Sequence, residues 1–165
     1  MIFRGENVQG EAGPYRQFFA DISAELQPNV GNPRIRRSLK MFLPSPNNKF
    51  KKGDFRHKFV VHPTSKSSFY LKLYKFLGLM MGCSVRTGTQ LTLDLPTMFW
   101  KQLVGQPIAI SDLYEIDQPL CYLIKFMQNC SKEDFEKEYF VTWSTMLSDE
   151  SVVELRPNGA EESVK

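Results

Sequence analysis

Apolar residues recur at helical spacing in four stretches of this chain. Tyr15, Phe18, Phe19, Ile22 and Leu26 follow Pro14, a residue suited to a first helical position, and predict an amphipathic helix over 14–27 that Pro28 and the segment 29–33 end. Phe69, Leu73, Phe76, Leu77 and Met80 share one face of a second helix, with Thr64 or Ser65 as its cap. Tyr70, Leu71 and Tyr74 widen that face and leave mainly Ser68, Lys72 and Lys75 for solvent, so this helix is expected at the centre of the core. Gly78 and Gly82 lie four apart on it, which predicts close contact with another helix or strand. Pro96 opens a third helix that presents Met98, Phe99 and Leu103, with Trp100 beside them, and Gly105 ends it. Asp117 can cap a fourth over 118–129, striped by Leu120, Leu123, Ile124 and Met127. Ser111 is expected to cap a short turn carrying Asp112 and Glu115, and Ser131-x-x-Asp134 predicts one more helical turn.

Strand signals are short. Residues 2–6 and 41–43 read as brief strands, 45–54 as a flexible loop, and Phe59-Val60-Val61 as a strand that Pro63 ends, because proline lacks a ladder donor. Leu91, Leu93 and Leu95 alternate with polar residues, as in a half-buried strand or extended segment. Residues 139–147 are apolar without a clear period. Val152 to Arg156 reads as a strand, Pro157-Asn158-Gly159 as a turn, and 160–164 as its returning partner. The expected class is α+β, helix-rich with a few short strands.

At 165 residues the chain is long enough for one domain with a real core. Its net charge of +3 does not by itself imply a polyanionic partner, but the charge is unevenly spread. Nine Lys or Arg residues and one acid, Asp54, fall between Arg34 and Lys58, whereas nine acids face four bases from Ser131 onward. Lys49, Lys51, Lys52, Arg56 and Lys58, interleaved with Phe50, Phe55 and Phe59, are a pattern that could grip a single-stranded nucleic acid by charge and stacking; a solvated loop is the plainer reading. Cys83, Cys121 and Cys130 are odd in number and widely spaced, and no secretory leader precedes them, which predicts free thiols in a reducing, cytoplasmic setting. The longest apolar run, 76–85, is about half the roughly 20 residues a membrane span needs. No metal-ligand spacing and no phosphate-binding loop occur, so neither metal nor cofactor is expected. Cys83 alone has a nearby cation in sequence, Arg86, and its place at the end of an apolar helix makes it a core thiol.

An ordered set of short motifs carries a resemblance. Phe3-Arg4-Gly5-Glu6 precedes Gly13-Pro14-Tyr15-Arg16; Met41-Phe42-Leu43-Pro44-Ser45-Pro46-Asn47 follows. Next come Phe76 to Gly82, Arg86-Thr87-Gly88, the run from Leu91 to Leu95, Trp100-Lys101-Gln102-Leu103, and Asp112-Leu113 with Asp117. Val153-Glu154-Leu155-Arg156-Pro157-Asn158-Gly159 closes the series. Together they resemble the amino-terminal lobe of the HECT ubiquitin ligases, most of all the giant HERC-type members. The resemblance implies a partial large subdomain over 1–130 and the start of the small, conjugating-enzyme-binding subdomain over 131–165. It implies transfer of ubiquitin from a conjugating enzyme to a ligase cysteine and then to a substrate lysine, with no cofactor. The family's Thr-Cys-Phe catalytic segment has no counterpart here, so the chain is expected to supply scaffold and part of the conjugating-enzyme dock, without forming the thioester. By the same resemblance Leu120, Leu123 and Ile124 fall at the dock positions; that all three belong to the core is the alternative reading of the same stripe. A non-catalytic interaction fragment that competes with a full ligase for partners is the alternative, and a nucleic-acid module through 34–58 the more distant one.

Overall fold

A computed structural model describes residues 13–27 and 39–164. The strand expected at 2–6, the helix-ending segment 28–33 and the basic residues 34–37 lie outside them. The described elements are α1 (Gly13–Leu26), β1 (Phe42–Pro44), α2 (Pro46–Phe50), β2 (Phe59–Val61), α3 (Ser68–Thr87), α4 (Thr97–Leu103), α5 (Ile110–Leu113), α6 (Gln118–Asn129), α7 (Lys132–Glu138), β3 (Ser144–Met146) and β4 (Val152–Glu154). Helices dominate, and the strands form two small sheets, β1 with β2 and β3 with β4, which is the expected α+β class. Two compact units result: residues 1–42 with 64–94, and residues 43–63 with 95–165.

In the first unit the core comprises Phe19 and Leu26 of α1, Met41 and Phe42 after it, and Leu77 and Met80 of α3. The Tyr74 hydroxyl donates to Met41 O at 2.7 Å, and its ring meets Phe42 edge-on with 6.2 Å between centroids. The helix cap expected at Thr64 or Ser65 falls instead at Ser67, because the Ser65 hydroxyl is taken by the Lys40 carbonyl. Gly88, at φ 65°, closes α3 in the left-handed conformation that glycine adopts without steric cost.

α3 corrects two further expectations. Only Leu77 and Met80 of its apolar residues are buried; Phe69, expected on the core face, is 58 % exposed and Phe76 48 %. Gly78 and Gly82 make no close contact among the described residues: a Cβ added at either would meet no atom within 4 Å. The periodicity correctly set the helix, yet the helix is apolar nearly all round, and the described unit covers one arc of it.

The second unit is tied largely by polar contacts. Residues 45–54, read from their Pro, Asn and Gly content as a flexible loop, contain a helical turn. Ser45 caps it by accepting from Asn48 N at 3.2 Å, and Pro46 fits the first helical position. Phe59 and Leu95 supply its apolar core, and the Lys58 ammonium donates to Leu95 O at 3.1 Å. Residues 91–95 join no strand ladder, and Leu95 at their end is buried. In α4, Met98 and Phe99 are half-buried, whereas Leu103 and Trp100 are exposed. Ser111 does not cap α5. The cap position is Ala109, whose N–H is accepted by the Asp112 carboxylate at 2.8 Å.

The expected hairpin between 152–156 and 160–164 is also corrected. β4 pairs antiparallel with β3, in the register Ser144↔Glu154, Thr145↔Val153 and Met146↔Val152. The Asp149 carboxylate accepts from Ser151 N and Oγ and so builds the connecting turn. After the second turn the chain returns beside residues 141–143 through a Thr142↔Ser163 bridge. Sequence order put the partner after the stronger turn signal, but the apolar 139–147 segment supplies the pairing edge. Among the described residues no helix is long and apolar enough to cross a membrane.

Candidate functional site

α6 leaves most of its large apolar side chains exposed. Asp117 caps it as expected, accepting from Leu120 N at 3.0 Å. The remaining donors of its first turn are also matched. Gln118 N donates to the side-chain oxygen of Asn47 at 2.9 Å, Pro119 has no N–H, and Cys121 N reaches Asp117 O at 3.2 Å. Every donor at this helix end therefore has a partner, one of them from a residue far away in sequence.

That residue, Asn47, is fully buried. Its amide nitrogen donates to Tyr114 O at 2.9 Å, and its backbone N–H donates to Ile116 O at 2.9 Å. With the Gln118 bond it fastens the whole 114–118 connection onto α2. α2 is itself held, since Ser45 N and the Asn48 side chain both donate to Lys58 O, at 3.0 and 3.3 Å. Gly53, at φ 74°, lies against the Gln118 side chain, where a Cβ would come within 3.2 Å of its carboxamide carbon. Tyr114 and Tyr122 meet edge-on, with centroids 5.6 Å apart, and Lys125 lies over the Tyr114 ring at 5.3 Å.

Against this fastened base α6 turns one small side chain inward and several large ones outward. Cys121 is fully buried, with its sulfur 4.0 Å from Ile110 O. Burial pushes its thiol pKa up, Asp117 adds to that, and Lys125 opposes it. It packs as a core thiol. Leu120 is 39 % exposed and Leu123 41 %; Ile124 is half-buried, and Tyr122 and Phe126 are exposed as well. The three sequence-predicted dock residues thus lie together along one side of α6, Leu120 and Ile124 one turn apart and Leu123 beside them. A contiguous apolar strip on a secured helix is a surface suited to protein binding.

No cluster of three metal-ligating side chains occurs among the described residues. Cys83 is half-buried near the end of α3, and no disulfide joins any of the three cysteines. An apolar groove of about 190 Å³ between β2 and α4, lined by Phe59, Val61, Met98, Phe99 and Ile116, has only Gln102 and Ser148 as polar side chains at its wall.

Among the described residues, several members of the basic segment are engaged in structure. Phe59 is buried and unavailable for stacking, and the Lys58 ammonium is bonded to a backbone carbonyl. Arg56 donates to Gly53 O at 2.6 Å, Lys51 to the Asn48 side chain at 3.2 Å, and Lys49 pairs with Glu150.

Two structural contacts escaped the sequence reading. Lys101 pairs with the buried Asp112 at 2.7 Å and so joins α4 to α5. The Ala109 N–H, first, and Lys101, second, hold the Asp112 carboxyl below the ordinary aspartate range. An eleven-residue separation corresponds to no helix or strand period, so pattern alone could not pair them. Asn47 carried a faint signal: it follows a proline that starts a helix, a position where an amide is free to reach beyond its own turn.

Residues 32–165 match the sequence model of the family described as HECT-domain (ubiquitin-transferase). The chain is 29 % identical over 136 residues to the E3 ubiquitin-protein ligase HERC2 of Mus musculus, and 29 % identical over 136 residues to that of Homo sapiens, an alignment covering 81 % of this chain. It is 34 % identical over 116 residues, 70 % of its length, to the probable E3 ubiquitin-protein ligase HECTD4 of Homo sapiens. It spans about 3 % of the length of each of these relatives. From the family match across most of its residues, the chain belongs to the HECT-domain (ubiquitin-transferase) family.

Proposed function

We propose that this chain is part of a HECT-type ubiquitin-protein ligase, and that α6 supplies part of its dock for a ubiquitin-conjugating enzyme through Leu120, Leu123 and Ile124. The observation that carries the reading is the outward apolar strip of α6 on a base whose polar groups are matched. Burying Leu120 and Leu123 against a partner would remove apolar surface from water at about 25 cal/mol per Å². In the full ligase, ubiquitin passes from the docked conjugating enzyme to a ligase cysteine and then to a substrate lysine. This chain contributes the docking and scaffolding parts of that sequence and none of its cysteines takes the thioester. Burial of Cys121 and the helix-end setting of Cys83 support that assignment. Three thiols without a disulfide fit a reducing, cytoplasmic setting.

The test is incubation with activating enzyme, ubiquitin and a panel of conjugating enzymes. At least one conjugating enzyme binds, weakly, and no reducible ubiquitin thioester forms on this chain. A thioester band that Cys83→Ser removes would contradict the scaffold assignment, and failure of every conjugating enzyme to bind would contradict the dock.

A further inference from the structure

We propose that Asn47 is a positioning residue for this dock: its buried side-chain amide sets the pose of α6 without touching the partner. The inference rests on the docking role of α6. Asn47 is fully buried, so it makes no contact with a docked protein. One amide group meets two opposite demands at once, donating to Tyr114 O and accepting from Gln118 N, each at 2.9 Å. An aliphatic side chain meets neither, and an ionised carboxylate meets only the second.

The two bonded groups bracket the turn that leads into α6, and the backbone bond from Asn47 to Ile116 O lies between them. Three bonds from one residue therefore fix where the helix begins and in which direction it leaves. Asp117 is different: it accepts from Leu120 N within the same helix and makes the helix start without fixing it in space. Leu120 and Leu123 follow within two turns, so a change in the direction of the first turn displaces both. The apolar core of the unit, Phe59 and Leu95, contributes none of these three bonds, which makes positioning separable from general stability.

The experiment measures affinity of the full chain for whichever unmodified conjugating enzyme of the panel it binds tightest, by calorimetric titration, with hydrogen exchange of the Gln118 and Leu120–Ile124 amides as the positional readout. Asn47→Ala is expected to bind about tenfold more weakly and to exchange faster across the first turn of α6. Gln118→Pro deletes the same bond from the α6 side, at a position where proline is tolerated, and is expected to weaken binding in the same direction. Leu95→Val lowers stability in the core of the same unit and is expected to change affinity by less than about twofold. If the wild type binds and Leu120→Ala does not, but Asn47→Ala and Gln118→Pro bind as the wild type does, the positioning role is overturned while the dock stands. Equal weakening by Leu95→Val also overturns it, as a mere stability effect. If the wild type binds no conjugating enzyme, the dock fails, and the role of Asn47 with it.

Discussion

α3 and the joint between α2 and α6 solve opposite problems. α3 is 20 residues long and apolar on nearly every side, yet only Leu77 and Met80 of its apolar side chains are buried. The α2–α6 joint is held instead by directional polar contacts, with Ser45 and Asn47 buried and each bonded. Hydrophobic burial is non-directional, so α3 can be well formed while its exposed arc specifies no particular neighbour. A buried amide works only in one geometry, so the joint specifies direction. The candidate dock lies on the element that the directional contacts hold.

Substitutions sharpen this contrast, beginning with the largest effects. Leu95→Ala, at a position 1 % exposed, should cost about 2–5 kcal/mol in chemical unfolding, whereas Leu71→Ala on the exposed arc of α3 should stay within about 0.5 kcal/mol. Similar losses at the two leucines would mean that α3 is covered. Asn47→Ala should cost about 1–3 kcal/mol, because it strands a part-buried carbonyl and a part-buried N–H.

Asp112 gives the contact between α4 and α5 a pH dependence. Its folded pKa is depressed, so its stabilisation is present in full above the ordinary aspartate value of about 4 and is lost as pH falls through the lower folded value. Unfolding scans below about pH 4 should show a stability decline in the wild type that is shallower in Asp112→Asn. An unchanged slope would remove the Lys101–Asp112 pair from the account.

Gly78→Ala and Gly82→Ala should each stabilise the chain by about 0.5–1 kcal/mol, since helix-interior glycine is costly and no atom of the described residues obstructs a Cβ at either site. A loss of stability at either would reveal a close neighbour. Lys49→Gln, which breaks an exposed pair with Glu150, should change stability by less than about 1 kcal/mol and by still less at high salt.

The legible parts of the sequence were those governed by local rules. Asp117 and Ser131 act as caps where their spacing put them, and α6 begins and ends within the expected 118–129. Leu120, Leu123 and Ile124 fall along one side of it, as their spacing requires. What escaped depended on partners distant in sequence. Helical periodicity showed that α3 is apolar on several faces but not which face is covered. The Gly78 and Gly82 spacing signalled a permitted approach, and permission does not supply a neighbour. Strand 152–154 could be read, but its partner could not, because 144–146 has little period of its own. Asn47 lies 71 residues from the helix it helps to secure, beyond the reach of any pattern along the chain.

The most direct test of the account is a nuclear magnetic resonance titration of the labelled chain with a ubiquitin-conjugating enzyme. Shift changes should centre on the Leu120–Ile124 amides and side chains. Leu120→Ala should abolish them while leaving the remaining spectrum folded, since a side chain 39 % exposed should cost only about 1 kcal/mol on truncation. Changes centred on another surface, or a Leu120→Ala chain that unfolds by the several kcal/mol of a core leucine, would contradict the assignment of α6 as the dock.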